Sequence, residues 1–456
     1  MLSMSKKLWK FCIVIGLLLV IIGCSNSDGK GANESPNDNN DVNDNLINEG
    51  DPKGGEQQEQ IEVSMMMHWG EEMFEEKFND HIKKALPHIK LTHIEANGTE
   101  EMQNAFAKGL IPDIAMGSNF GRYDELGLLM DQMPLIESSG LDLSLYDQGV
   151  IESLKAASLV GELDALPVIK QGYVMTYNKD IFDAFAVPYP TDYMTWDEVI
   201  ELGRKLSGEI DGKKYHGIFP GSLSRQQLGI NLVDPETNET DILENKELRM
   251  FLEQVEEILN IPGNLPDMDS TEELAQYMYS GDGADTAFDF ALFPFRDQAN
   301  GLSWREFEAG LNFDWVTYPV WGGEYPDYTP HEILNFMFVT SQSENPEAAF
   351  EVIEYLMSEE YQKWSVSTGT SSYMLNEEVY QEFGKGLEHA DILAEKNIDA
   401  LFEYQSVPVP KKSPYEAASP VQNAYQRLIE GEDINTVLRK MDEEAQIIID
   451  EQSGKK

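Results

Sequence analysis

Cysteine is nearly absent from this chain. Only Cys12 and Cys24 occur, so beyond residue 24 there is no thiol for a disulfide, a cysteine metal site or a cysteine nucleophile. Positive charge is scarce too. The 33 Lys and Arg stand against 82 Asp and Glu, a formal charge of -49. Phosphate contacts need a basic surface, so nucleic acid is excluded as a partner. The acidic excess reads as a heavily solvated surface that keeps the chain soluble, with a cationic ligand as the alternative. After residue 22 no apolar run is long enough to cross a bilayer, and no internal repeat is present.

Catalytic signatures are missing as well. There is no Gly-x-Ser-x-Gly elbow, no His-Glu-x-x-His helix, no P-loop and no dinucleotide glycine fingerprint, so no cofactor is expected. A glycosidase needs two placed carboxylates, and with 82 acids chance pairs are no evidence for one. Asp282, Asp285 and Asp289 lie close together but do not match an EF-hand loop. A calcium ion there stays open as the weaker reading.

The amino end is informative. Lys6, Lys7 and Lys10 precede an apolar run from Phe11 to Ile22, the layout of a secretory signal. The run ends Ile21-Ile22-Gly23-Cys24, which resembles the bacterial lipobox. That resemblance implies cleavage after residue 23 and lipid on the Cys24 thiol, anchoring a soluble part to the outer face of a Gram-positive-type cell membrane. A plain signal peptide is the alternative. Residues 24–60 are Asn, Asp, Gly, Ser, Glu and Gln with few apolar side chains, a composition that predicts a disordered tether.

Helical and strand patterns then alternate, which predicts an α/β fold. Ile61 to Met67 reads as a strand. Glu71 to Leu86 reads as a helix, with Phe74, Phe78 and Ile82 at helical spacing. A strand from Ile89, a helix from Thr99 and a strand through Ile114 follow. Thr195 with Glu198 forms a capping box for a helix from Trp196.

Four stretches carry a family resemblance. They are Gly109 to Ile114 with Phe120 to Tyr123; Ala165 to Val168 with Tyr173 and Tyr177 to Phe182; Val187 to Pro190 running into Met194 to Glu198; and Asn345 to Ala349 with Glu354 to Leu356 and Glu360 to Gln362. In this order the chain resembles the extracellular solute-binding proteins of ABC importers, in the carbohydrate-binding branch that includes maltose-binding protein. The resemblance implies a two-lobed, periplasmic-binding-protein-like clamp, each lobe a mainly parallel sheet flanked by helices. Lobe 1 takes 61–168 and 318–360, and lobe 2 takes 169–317 and 361–456. Crossings are expected near Val168 to Tyr173, near Trp315 to Pro319, and after Met357. It further implies a monomeric, non-catalytic receptor that passes a small solute to ABC permease subunits and touches membrane only through its anchor. An oligosaccharide is the favoured solute, and the acidity disfavours a polyol phosphate.

A sugar site needs aromatic faces for the C–H side of the ring and planar polar groups for its hydroxyls. On the resemblance, Trp69 and Glu71 follow the first strand as stacking and hydroxyl-accepting candidates. The alternative packs Trp69 in the core and leaves Glu71 at a helix start. Ser118 and Asn119 sit where relatives place polar sugar contacts, but equally suit a turn. Trp321 and Gly322 follow the second crossing as a stacking ring and a close backbone approach, or form an exposed turn. Tyr173 and Tyr373 complete the set. Phe288, Phe290, Phe293, Trp304 and Trp315 are weaker candidates, with Trp304 and Trp315 better suited to a core.

Overall fold

A computed structural model describes residues 60–454 except 97, 221–223, 281–288, 297–309, 332–334 and 418. The leader, Cys24, most of the tether, Asp282, Asp285, Phe288 and Trp304 therefore lie outside the described residues.

Two five-stranded sheets organise the chain. The first has the order β2-β1-β3-β10-β4, from Ile61–Met67 (β1), Ile89–Glu95 (β2), Ile114–Gly117 (β3), Leu166–Pro167 (β4) and Phe336–Val339 (β10). The second has the order β6-β7-β8-β5-β9, from Tyr173–Asn178 (β5), Gly208–Ile210 (β6), Lys213–Ile218 (β7), Phe290–Arg296 (β8) and Phe313–Thr317 (β9). The β-α-β-α-β start is as read from the sequence, with β1 parallel to both β2 and β3.

Beyond that start the sheets are mixed rather than mainly parallel. β10 runs antiparallel to β3 and β4, and β5 runs antiparallel to β8 and β9. The chain path explains it. β4 leaves the first lobe for the second and β10 returns from it, so these neighbours run in opposite directions. β5 and β9 stand in the same relation in the second lobe.

Local chemistry sets the flanking helices. Phe74, Phe78 and Ile82 are all buried, as their spacing predicts. The helix is not regular, however, because Glu75–Asn79 forms a π turn, across which the Asn79 amide donates to Glu75 at 2.8 Å. Trp196–Leu206 starts with the full Thr195–Glu198 capping box. Asn178 caps Lys179–Phe185 by accepting from the N–H groups of Asp180 and Ile181.

The first core gathers side chains of the first sheet with those of helix Pro346–Met357, and reaches Val174, Phe313 and Trp315 of the second sheet. It also takes Tyr361, Val366, Tyr373, Phe383, Leu393 and Leu401. The stretch 361–401, expected in lobe 2, thus contributes to a core in which side chains of both sheets take part. Phe383 of this stretch meets Trp315 of β9 edge-on at 6.4 Å, while the second sheet's other face is closed by Ser419–Ile429 and Ile434–Gln452.

Candidate functional site

The register places the candidate loops. Met66 pairs with Ala115, and Phe336 pairs with both Gly117 and Pro167. The loops carrying Trp69, Glu71, Ser118 and Asn119 therefore leave the first sheet at the edge where residues 168–172 depart for the second. In the second sheet Val174 pairs with Thr317. Tyr173 and the run toward Trp321 thus lie at the edge where the chain enters and leaves that lobe.

The crossings are tied together by one buried carboxylate. Asp147 is fully buried and caps helix Gln148–Ala157 by accepting from Gly149 N–H. Its Oδ2 accepts from the Ser406 N–H at 2.9 Å and the Ser406 hydroxyl at 2.7 Å, and faces Lys170 Nζ at 3.4 Å. Lys170 belongs to the first crossing and Ser406 to the third. The second crossing contributes Thr329, whose N–H donates to the Gln405 carbonyl while its carbonyl accepts from Val407 N–H, both at 3.0 Å. It also contributes His331, buried with Nδ1 3.4 Å from the Tyr373 hydroxyl. Lys170 Nζ stands 5.5 Å over the Tyr373 ring.

Charge within this knot is strongly conditioned. Burial pushes the Asp147 carboxyl up, but Lys170 and the Ser406 donors outweigh it and hold the group below its ordinary value. Burial pushes the His331 ring down to about 4, against the opposing pull of Asp147. The imidazole is therefore neutral at physiological pH. Its Nε2 and the hydroxyls of Ser371 and Thr329 are buried without a partner.

A second construction surrounds Trp321. Tyr173 meets Tyr318 edge-on at 6.5 Å, Tyr318 meets Trp196 edge-on at 5.6 Å, and Trp196 lies 6.2 Å from Trp321. The first three rings are buried and Trp321 is half-buried. The Thr195–Val320 bridge fixes the approach. Gly322 and Gly323 follow at φ 69° and 65°, left-handed values that suit glycine. A Cβ on Gly322 would stand 3.2 Å from the Thr195 methyl.

The remaining candidates divide. Trp69 is half-buried and stacks on Phe78 at 6.1 Å against the first core. Glu71 is exposed and bound to His93 Nδ1 at 2.8 Å, and the His93 ring in turn stacks on Phe74. Ser118 and Asn119 are exposed, and Asn119 caps the next helix by accepting from Arg122 N–H. Tyr173 and Tyr373 are each 4 % exposed, so their rings are packed among protein groups rather than presented outward. Trp315 is core, as expected, and Phe290 and Phe293 are buried in the second lobe. The structure thus links Tyr173 to Trp321 only through Tyr318 and Trp196, and brings Tyr373 together with Lys170 and His331.

Sequence reading missed Asp147, Lys170, His331 and Ser406. The one available signal was a lysine directly after the apolar stretch Pro167 to Ile169 that opens the first crossing. Among the described residues, no group of three or more His, Cys, Asp or Glu is arranged to hold a metal ion.

Solved structures share this architecture. A sugar transporter from Rhizobium etli in an open conformation is 19% identical, with 85% of this chain and 99% of that chain covered and a TM-score of 0.69. The ABC substrate-binding protein Lmo0181 from Listeria monocytogenes, in complex with cycloalternan, is 19% identical, with 87% and 99% covered and a TM-score of 0.59. UgpB from Mycobacterium tuberculosis, in complex with glycerophosphocholine, is 15% identical, with 86% and 99% covered and a TM-score of 0.58. At these identities the likeness establishes the two-lobed fold alone. No curated protein sequence matches the chain. Residues 70–363, more than half of the chain, match the sequence profile of the bacterial extracellular solute-binding proteins, and the protein belongs to that family.

Proposed function

We propose that this solute-binding protein captures an oligosaccharide between its lobes and delivers it, unchanged, to the permease of an ABC importer. In this reading Cys24 carries the lipid that holds the receptor at the outer face of the membrane, and the receptor acts as a monomer.

The observation that carries the sugar is the half-buried Trp321, backed by the buried Trp196 and placed beside the interlobe crossings. A ring held from behind offers a rigid face to the C–H side of a pyranose at little entropic cost. Trp69, Ser118 and Asn119, at the crossing edge of the first sheet, supply the opposing ring and hydroxyl partners. Glu71 is a further acceptor if the solute displaces His93, and Gly322 lets backbone approach it. Tyr173 and Tyr373 act from beneath, the first under the aromatic train and the second in the crossing knot.

The cycloalternan held by the Listeria protein supports a saccharide.

A thermal-shift panel of mono- and oligosaccharides, amino acids and peptides tests the reading. A true ligand at a hundred times its Kd stabilises the protein by about 2.7 kcal/mol. A melting temperature unmoved by every saccharide would remove the sugar.

A further inference from the structure

Gln227 is a buried glutamine, 8 % exposed, at the end of the short helix Ser224–Gln227. Its Oε1 accepts from the Trp196 indole N–H at 3.1 Å. Its Nε2 donates to the carbonyls of Pro319 and Tyr328, each at 2.8 Å. Both amide N–H donors are used and the oxygen holds one donor, so only one orientation works. A flipped amide would set oxygen against two carbonyl oxygens and nitrogen against an N–H.

The three partners have one thing in common. Trp196 is the ring behind Trp321, while Pro319 and Tyr328 bracket the turn on which Trp321 sits. That turn closes on itself through the Tyr325 N–H to the Gly322 carbonyl at 3.2 Å. Two left-handed glycines in succession give it little stiffness of its own. From these contacts we infer that Gln227 is a positioning residue for ligand binding, fixing the Trp321 ring by clamping both ends of its turn and the ring beneath it. This rests on the reading of Trp321 as a ligand platform, and it adds the residue that holds the platform still. Gln227 need not touch the solute.

Substitution separates the two halves of the clamp. Gln227→Leu removes all three bonds at similar size. Gln227→Glu keeps an acceptor for the Trp196 indole but can donate to neither carbonyl when ionised.

The test uses the full chain, labelled with 5-fluorotryptophan. The Trp321 fluorine signal is assigned by its loss in Trp321→Phe, and the Trp69 signal reports that the first lobe stays folded. Gln227→Leu should shift and broaden the Trp321 signal and leave the Trp69 signal in place. Gln227→Glu should broaden Trp321 with a smaller change at Trp196. The affinities of maltotriose and cycloalternan are then measured by calorimetry in a cycle with Trp321→Ala. Gln227→Leu should cost about tenfold when Trp321 is present, and nothing when it is already alanine. An unmoved Trp321 signal, or an equal loss in the Trp321→Ala background, would overturn the inference. If neither sugar binds the parent chain while the fluorine signature still follows Gln227, the clamp stands and the saccharide reading falls.

Discussion

Asn397 places its side-chain amide on both carboxylate oxygens of Asp192, at 3.0 and 2.9 Å. Asn397 stands between Leu393 and Leu401, in a core that also takes Phe313 and Trp315 of β9, and Asp192 accepts from the N–H of Thr317, the last residue of β9, at 2.8 Å. The same link is extended by Asn397 N–H to Asp314 at 3.0 Å and Lys396 Nζ to the Phe313 carbonyl at 2.8 Å. Residues 396–397 therefore strap the third crossing to the exit strand of the second sheet. Asn397→Ala removes both side-chain bonds to a part-buried carboxylate, and should lower stability by about 1–3 kcal/mol. It should also widen the distribution of lobe angles, read as a larger radius of gyration in solution scattering. An unchanged scattering profile would mean that the strap does not restrain the lobes.

Asp147 and Lys170 make a sharper case, because both are buried. Removing one partner strands the other charge away from water. Asp147→Ala is expected to cost about 3–5 kcal/mol in urea unfolding. The paired replacement Asp147→Asn with Lys170→Met leaves no buried charge, and should cost clearly less than the sum of the two single changes. Equal additive losses would show that Lys170 and Asp147 do not sense one another.

The knot also dictates an acid response. The His331 ring is held at about 4 when folded and returns to 6.5 when unfolded. Between those values the unfolded chain binds the proton more readily. The His331 contribution is therefore complete above pH 6.5 and is lost as pH falls toward 4, at most about 3 kcal/mol. The charges acting on the ring are Asp147, Lys170 and Lys412, with the neutral Tyr373 hydroxyl beside it. Asp147 is itself held below its ordinary 3.8 and yields only at lower pH. Unfolding free energy measured from pH 7 to 4 should fall less steeply in His331→Gln than in the parent chain. An identical slope would place the buried proton uptake elsewhere.

Much of the scaffold was legible because it is local. The capping box at Thr195, the Asn178 cap and the burial of Phe74, Phe78 and Ile82 follow from residues within a few positions of one another. The knot was not legible, since Asp147 meets Lys170 across 23 residues and Ser406 across 259. No periodicity encodes such a meeting. Strand direction failed for a related reason: alternating helices and strands suggest parallel pairing, but where a chain leaves a lobe and returns, neighbouring strands must oppose. Trp69 and Tyr373 show the limit for single residues. A ring in a loop reads the same whether it faces solute, stacks on Phe78 or lies under a buried lysine.

Trp321 offers the most direct check on binding. Its ring lies 6.2 Å from Trp196, packs against both cores of the second lobe and stays half-buried. Truncating an anchored aromatic at the centre of a contact typically costs about 2 kcal/mol or more of binding free energy. Trp321→Ala should therefore weaken oligosaccharide binding by at least about thirtyfold. Trp321→Phe keeps a smaller stacking face and should retain part of the affinity. Tyr373→Phe is the contrasting variant, because its hydroxyl faces His331 and its ring lies under Lys170. It should lower melting temperature slightly and leave sugar affinity within about twofold, since removal of one long hydrogen bond in the knot takes nothing from the solute. If Tyr373→Phe abolished binding while Trp321→Ala left it intact, the solute would be held against the crossing knot and not against the tryptophan face.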